Sequence, residues 1–321
     1  MTAASVEGAP APVLTLGEAL VSLGAPFGVR LEDAHALTVH IVGAELNFAI
    51  ALRRLGLAAA FAGAVGDDPW GARVRRTLQG EGVAIVDLTR DPERPTALLF
   101  KEGAAGPDLR VHYRRRDAAG AAYGGGSALL EAAHGARGLH LTGISFNLGG
   151  PLRQACLAAL AAVGAGAFVS FDLNVRHRLG PPAAWREALE AVAGRADLVL
   201  ATREELASVA VDAASLGRRL AARGAALVLR ADGADSLIHA PGGPFSVTPP
   251  ALRGPVADAV GAGDAFAAAV VALRLGGSAW PRAVLAGHLA GGFAVGRLGD
   301  YEGAPYASEL DELLSGGGVS R

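Results

Sequence analysis

A single cysteine, Cys156, is the only thiol in this 321-residue chain, so no disulfide can form within it. It stands in "PLRQACLAALAAV", where a small buried apolar residue on a helix is the plain reading. A surplus of one charge is missing too. There are 29 Lys and Arg against 31 Asp and Glu, for a formal net charge of −2, and the run Arg114–Arg116 is too short to alter the balance. That leaves no electrostatic case for nucleic acid or an anionic membrane as partner. The eight histidines include no i, i+4 pair, so no zinc site is expected. Long apolar runs are also lacking, because stretches such as "AFAAAVVAL" meet Gly, Arg or Pro before they reach membrane-spanning length. "MTAASVEGAPAP" has neither a basic n-region nor an apolar h-region and reads as a disordered tail over residues 1–11. A soluble, cytoplasmic, reduced protein is the expectation, with a second short tail at 316–321.

What is present is a chain that is 51% hydrophobic, ample for one large α/β core or two small ones. Short β-type runs alternate with longer helical ones. Strands are predicted at 13–18, 59–66, 138–145, 167–176, 196–201, 225–231, 236–240 and 245–249. Helices are predicted at 44–56, 68–82, 150–163, 183–193, 203–209, 213–223, 262–275, 279–295 and 307–315. This alternation implies an α/β fold with a mostly parallel sheet, helices on both faces and a ligand site at the carboxyl ends of the strands. Residues 28–42 and 95–116 read as strands with no helix between them, which suggests a small separate β-sheet.

The sharpest local signal is "DAVGAGDAFAAAVV", where Gly261, Ala262, Gly263 and Asp264 open a long small-apolar helix. Glycines at a helix N-terminus let an anion approach backbone N–H groups at the positive end of the dipole. A carboxylate beside that anion is repulsive unless it removes a proton from a hydroxyl that attacks a phosphate. The competing reading makes Asp264 a helix cap and the glycines its entry turn.

This segment resembles the C-terminal signature of the ribokinase-like (PfkB) carbohydrate kinases, with Ala259 where Thr, Pro, Ser or Val is usual. "GAELN" at 43–47, followed by Ala49, Gly56, Gly66 and "GDDPWG", resembles the N-terminal signature, with Val42 in place of the first of two paired glycines. The resemblance covers about residues 12–315 and implies a single ribokinase-like domain with a β-sheet lid. It implies Asp264 as the base and Gly261, Ala262 and Gly263 as the anion hole. It also implies ATP and Mg2+, with a monovalent cation such as K+ as a further candidate. "RVHYRRRDAAGAA", "SFDLNVR" and "GDYEGAPY" are similar to the 2-keto-3-deoxygluconate kinases, which phosphorylate a six-carbon sugar acid on its terminal hydroxyl.

On a strand, Val111, Tyr113 and Arg115 would share one face and His112, Arg114 and Arg116 the other. Arg115 could then offer its planar fork to a carboxylate. Asp172, Asn174 and Arg176 would share a face at a strand's carboxyl end. The resemblance places Gly43, Tyr113, Arg115, Arg176 and Asp300 at the sugar acid. It places Asn174, Arg176, Arg230, Gly233 and Asp235 at the nucleotide, with Gly261 and Gly263. Glu205 would order Mg2+ through water, although Thr202 replaces an Asn common in relatives. Leu99 falls where the sugar-acid kinases tend to have a Tyr, Asp232 at a usual Gly, and Gly287 where an Asn often lies near the adenine. A homo-oligomer joined through the lid is expected, since such sheets can cover each other's edges. The alternatives are a kinase of a neutral sugar and a non-catalytic sugar-binding relative.

Overall fold

The first strand, β1 (Val13–Leu16), sends alternate side chains to opposite faces: Val13 joins one hydrophobic cluster, and Leu14 and Leu16 join another. That period of two repeats along the sheet and divides the core into two layers. The computed structural model describes residues 10–102, 110–231, 234–251 and 254–316.

In chain order the elements are β2 (Leu20–Gly24), β3 (Thr38–Val42), α1 (Ala44–Arg54), β4 (Ala59–Gly66), α2 (Pro69–Gly80), β5 (Ala84–Asp91), β6 (Ala97–Glu102) and β7 (Arg110–Arg114). Then come α3 (Ser127–Gly135), β8 (Gly138–Thr142), α4 (Gly143–Leu148), α5 (Gly150–Ala162), β9 (Phe168–Asp172), α6 (Pro182–Ala193), β10 (Leu198–Thr202), α7 (Arg203–Ser208) and α8 (Ala213–Ala221). The chain continues through β11 (Ala226–Arg230), β12 (Ser236–Ala240), β13 (Gly243–Val247), α9 (Ala262–Leu275), α10 (Trp280–Ala294) and α11 (Ala307–Leu314).

Nine strands form one sheet in the order β13-β12-β11-β10-β9-β8-β1-β4-β5. Pairing is parallel from β5 through β11, and β12 and β13 add antiparallel at the edge. Helices α1, α2, α9 and α10 cover one face, and α3, α5, α6 and α8 cover the other. Four further strands make a separate sheet, β3-β2-β6-β7, whose inner pair β2 and β6 is parallel. This is the mostly parallel α/β architecture expected from the alternation, with the small separate sheet that the helix-free segments suggested. Among the described residues no helix is long and apolar enough to cross a membrane.

Helix α9 explains its own composition. Ala265 through Ala272 are all buried, because α9 packs between α1 and α10. Small side chains and the glycines of α10 permit the close approach: a Cβ at Gly287 would sit 2.8 Å from Val270 Cγ2 and 2.9 Å from Phe266. Gly287 therefore serves helix packing and does not face the cleft.

Several boundaries differ from the periodicity reading. Strand β2 follows β1 after only three residues and enters the small sheet, whereas the sequence suggested one strand to residue 18. Residues 28–37 hold only a 3-10 turn at Leu31–Asp33, so within 28–42 the strand is β3 alone. Helix α4 follows β8 without a linker, which made 138–145 look like one strand. Strand β9 ends at Asp172, and Asn174 turns into left-handed backbone with φ 43°, so Asn174 and Arg176 lie on the loop beyond the strand. β5 and α3 were not expected. β5 is half polar, has one fully buried residue and lies at a sheet edge, and α3 is a short amphipathic helix with two fully buried residues. The proposed tails fall on or next to residues outside those described.

Candidate active site

A cleft of about 910 Å³ runs between the small sheet and the carboxyl ends of the large one. The floor comes from the ends of β9, β10 and β11 and the N-terminus of α9. The opposite wall comes from Leu99 and Lys101 of β6 and from Val111 and Tyr113 of β7, followed by Arg115.

Two glycines enter at sharp bends. Gly261 caps α9 in left-handed conformation, φ 80°, and a Cβ there would collide with the carbonyl oxygen of Asp300. Gly43 caps α1 at φ 149°, where a Cβ would strike the Glu18 carbonyl. Only glycine satisfies either position without moving backbone. Gly263, by contrast, is ordinary helix, and a Cβ there would come 3.1 Å from Arg230 Nη1. The N-terminus of α9 thus opens into the cleft with Gly261, Ala262, Gly263 and Asp264 all lining it.

Asp264 Oδ2 accepts a hydrogen bond from Asn47 Nδ2 at 2.8 Å, a contact that joins the two signature segments across 217 residues. Burial pushes the Asp264 carboxyl up to about 8, with further upward push from Asp172 and Asp300 against the Asn47 hydrogen bond and Arg176. A carboxyl poised near neutrality suits proton abstraction far better than an ordinary Asp does.

Around it the charges are arranged in pairs. Arg230 Nη2 donates to Asp172 Oδ1 at 2.8 Å and Nη1 to the Gly263 carbonyl at 3.3 Å, so it braces α9 against the end of β9. Arg115 Nη2 lies 2.6 Å from Glu18 Oε2, with the guanidinium 5.1 Å from the Tyr113 ring centre. Burial raises the Glu18 carboxyl to about 7, and Arg115 pulls it part of the way back. Beneath it Glu45 is buried and accepts from Thr142 Oγ1 at 2.6 Å and Ser145 Oγ at 2.5 Å. Glu205 accepts from the Val175 and Thr202 backbone N–H groups, both at 2.8 Å, and closes a capping box with Thr202 on α7. Arg176 is exposed at the cleft edge and, among the described residues, donates only to its neighbour's carbonyl, Val175 O, at 3.0 Å.

Gly43, Tyr113, Arg115, Asn174, Arg176, Glu205, Arg230 and Asp300 therefore all reach this cleft. Asp235 does not line it. It lies near enough to His288, on the cleft wall, to act on that imidazole's charge. Gly233 lies outside the described residues. Sequence reasoning missed Glu18, Glu45 and Lys101. Glu18 follows the carboxyl end of β1, where a parallel sheet places ligand groups. Lys101 shares a strand face with Leu99, two residues away, and that spacing was the available signal.

The pfkB carbohydrate kinase pattern matches residues 13–307. The chain is 31% identical to a 2-dehydro-3-deoxygluconokinase of Thermoproteus tenax over 311 residues, 94% of each chain. It is 31% identical to a 2-dehydro-3-deoxygalactonokinase of Haloferax volcanii over 272 residues, 83% of this chain and 85% of that one. The crystal structure of a PfkB protein from Polaromonas sp. JS666 superposes with a TM-score of 0.82 at 30% identity, covering 94% of this chain and 99% of that one. The match takes in both the glycine-capped helix that carries Asp264 and the segment of Gly43 to Asn47, and the chain belongs to the pfkB family of carbohydrate kinases.

Proposed function

We propose that this carbohydrate kinase transfers the γ-phosphoryl group of ATP to the terminal hydroxyl of a sugar acid, 2-keto-3-deoxygluconate or its galactonate epimer. The observation that carries the chemistry is Asp264 on the first turn of α9, its carboxyl raised to about 8 by burial and held by Asn47. Asn47 occupies Oδ2, which leaves Oδ1 for the substrate hydroxyl. Asp264 takes the hydroxyl proton as the sugar oxygen attacks phosphorus, and ADP leaves in line. The N–H groups at the start of α9 stabilise charge on the transferring group, in the sense of an oxyanion hole. Arg176, at the cleft edge and without a carboxylate partner among the described residues, balances the nucleotide phosphates, and Asn174 and Arg230 shape the floor beneath them.

The residues present suit magnesium carried in with the nucleotide. No group of three His, Cys, Asp or Glu side chains that could hold a metal ion occurs among the described residues. Magnesium bound chiefly by phosphates and water needs none, and it would supply charge neutralisation at the phosphates. Glu205 has given one lone pair of each oxygen to backbone N–H groups and would reach the ion through water.

Sugar-acid preference is supported by the names of the two relatives and by Arg115, which lines the cleft with Tyr113 on the sugar side. One feature favours a neutral sugar: Glu18 already holds Arg115 at 2.6 Å, so an incoming carboxylate must compete for the guanidinium. Asp300, and the Leu99 surface in place of an aromatic hydroxyl, would contact the sugar chain. Coupled ADP release over a panel of 2-keto-3-deoxy acids, fructose and ribose decides between the readings. The acids should give the highest kcat/KM, and a preference for a neutral hexose would overturn the sugar-acid assignment. The same assay with and without K+ tests the monovalent cation, and sedimentation tests a homo-oligomer through the small sheet.

A further inference from the structure

Lys101 has no role in the chemistry above, yet its position is unusual. It is carried by β6 of the small sheet, and its ammonium crosses to the body. Nζ donates to Asp300 Oδ1 at 2.8 Å and lies 3.6 Å from Asp258 Oδ2. The three side chains are only 13%, 6% and 15% exposed, so one ammonium serves two largely buried carboxylates.

Each acid belongs to a segment that frames Gly261. Asp258 Oδ1 accepts the Val260 N–H at 3.0 Å, and the N–H groups of Ala257 and Asp258 both donate to the Val295 carbonyl. On the other side, the Asp300 carbonyl packs against Gly261 so closely that no Cβ would fit. The stretch after Asp300 is itself fixed to α1, since Arg54 Nη1 donates to the carbonyls of Tyr301, Glu302 and Ala304 at 2.9, 3.1 and 3.0 Å. A second link from the small sheet ends on the same stretch, His40 of β3 with Glu302 at 2.7 Å.

We propose that Lys101 is a positioning residue for phosphoryl transfer: by gathering Asp258 and Asp300 it ties the small sheet to both flanks of the Gly261 turn and keeps that turn in register with the substrate. The physical reason is charge. Two buried carboxylates without a cation repel each other or take up a proton, and either outcome shifts the segments that carry them. The inference rests on the assignment of Gly261–Asp264 as the phosphoryl site.

Steady-state kinetics of Lys101→Met, Lys101→Arg and the double variant Lys101→Met/Asp258→Asn test it, with whichever sugar the wild-type enzyme turns over best. Methionine keeps a chain of similar length and removes the charge. Lys101→Met should lower kcat by about 10- to 100-fold, with KM for ATP and sugar within about 3-fold of wild type, as expected when reacting groups are misplaced. Lys101→Arg should recover most of the rate, and the double variant part of it, because one of the two acids is then neutral. A folded Lys101→Met with wild-type kcat overturns the proposal. So does a loss confined to the sugar KM, which would make Lys101 a substrate ligand, or an Arg variant as impaired as the Met one. If Lys101→Met does not fold, wild-type kcat in the double variant is the overturning result. A neutral-sugar preference in the panel leaves this test standing, and full activity of Asp264→Asn removes the phosphoryl-site reading independently.

Discussion

Strand β4 of the nine-stranded sheet is buried at every one of its eight residues, whereas β7 of the four-stranded sheet has none fully buried. The large sheet is covered on both faces, so its inner strands are buried and mainly apolar. The small sheet turns one face to the cleft; the other packs into the main core through Val21, Leu23 and Ile41 and reaches solvent at β7, which alternates, with Val111 and Tyr113 toward the cleft and His112 and Arg114 away from it. The large sheet and its helices supply the stability and Asp264, the proposed base. The small sheet supplies Leu99, Lys101, Tyr113 and the approach to Arg115. Substitutions in the first should therefore act on kcat or folding, and those in the second on substrate selection, except at Lys101, whose ammonium reaches across to Asp300 beside the Gly261 turn.

The largest effect should come from Asp264→Asn. Loss of the base should lower kcat by about 10²–10⁴-fold, the usual worth of general-base catalysis. Stability should move the other way. A carboxyl raised to about 8 makes the folded state bind more protons than the unfolded state, so stability is lost as pH climbs from the ordinary Asp range toward 8. Asn escapes that loss, and the melting temperature of the variant should exceed wild type by a margin that widens between pH 5 and pH 8. Calorimetry showing a narrowing margin would reject the raised carboxyl. In the wild-type enzyme, kcat/KM should rise with pH and level off near 8.

Next in size is Trp185→Ala on the body side. Trp185 is fully buried under the large sheet and packs against Gly143. Its removal should cost about 3–5 kcal/mol by denaturant unfolding, with kcat retained where the protein stays folded. A large kcat loss in the folded variant would show that the two regions are not separable in this way.

Arg115→Ala sharpens the contrast from the other side. A charge-assisted hydrogen bond is worth about 1.5–3 kcal/mol, or roughly 10- to 150-fold in binding. The penalty should fall on KM for a sugar acid and shrink for a neutral hexose. Equal penalties on the two would leave Arg115 as a partner of Glu18 only. The smallest effect belongs to His112→Ala on the outer face, whose side chain is 49% exposed and meets Glu102 at 3.1 Å. Stability should change by less than about 0.5 kcal/mol and kinetics should not change.

The same division governs how much could be read before any coordinates. The inner strands of the large sheet are mainly apolar, so β4, β8, β10 and β11 were visible as strands, and the helices between them by their period. Gly43 and Gly261 were legible because sharp bends at helix starts favour glycine, and Asp264 because a carboxylate stands out on the first turn of an apolar helix. β2 and β5 escaped notice, one because it follows β1 after three residues and the other because it is a half-polar edge strand. The pairing partners were hidden for a different reason. Glu18 with Arg115, Asn47 with Asp264, and Lys101 with Asp300 join residues 97, 217 and 199 positions apart, and local periodicity carries no information about such contacts.

All four passages of the chain between the sheets cluster at one end of the small one. Gly43 abuts Glu18, and the Ala119 N–H bonds to the Pro95 carbonyl. The small sheet is thus a cantilever, joined to the body by the chain at its base and held farther out by side-chain contacts such as Lys101 with Asp300 and His40 with Glu302. Lys101 sits four residues out along β6 from Ala97, while Arg114, next to Arg115, pairs with Leu98 near the base. At about 3.3 Å per residue, a tilt of roughly 10° about the base would carry Lys101 by about 2 Å and Arg115 by well under about 1 Å. The first displacement is enough to part an ammonium from a carboxylate, and the second is not. Leverage alone therefore makes the grip on Asp300 the first to yield when the sheet lifts, while the Arg115–Glu18 pair rides through the motion intact.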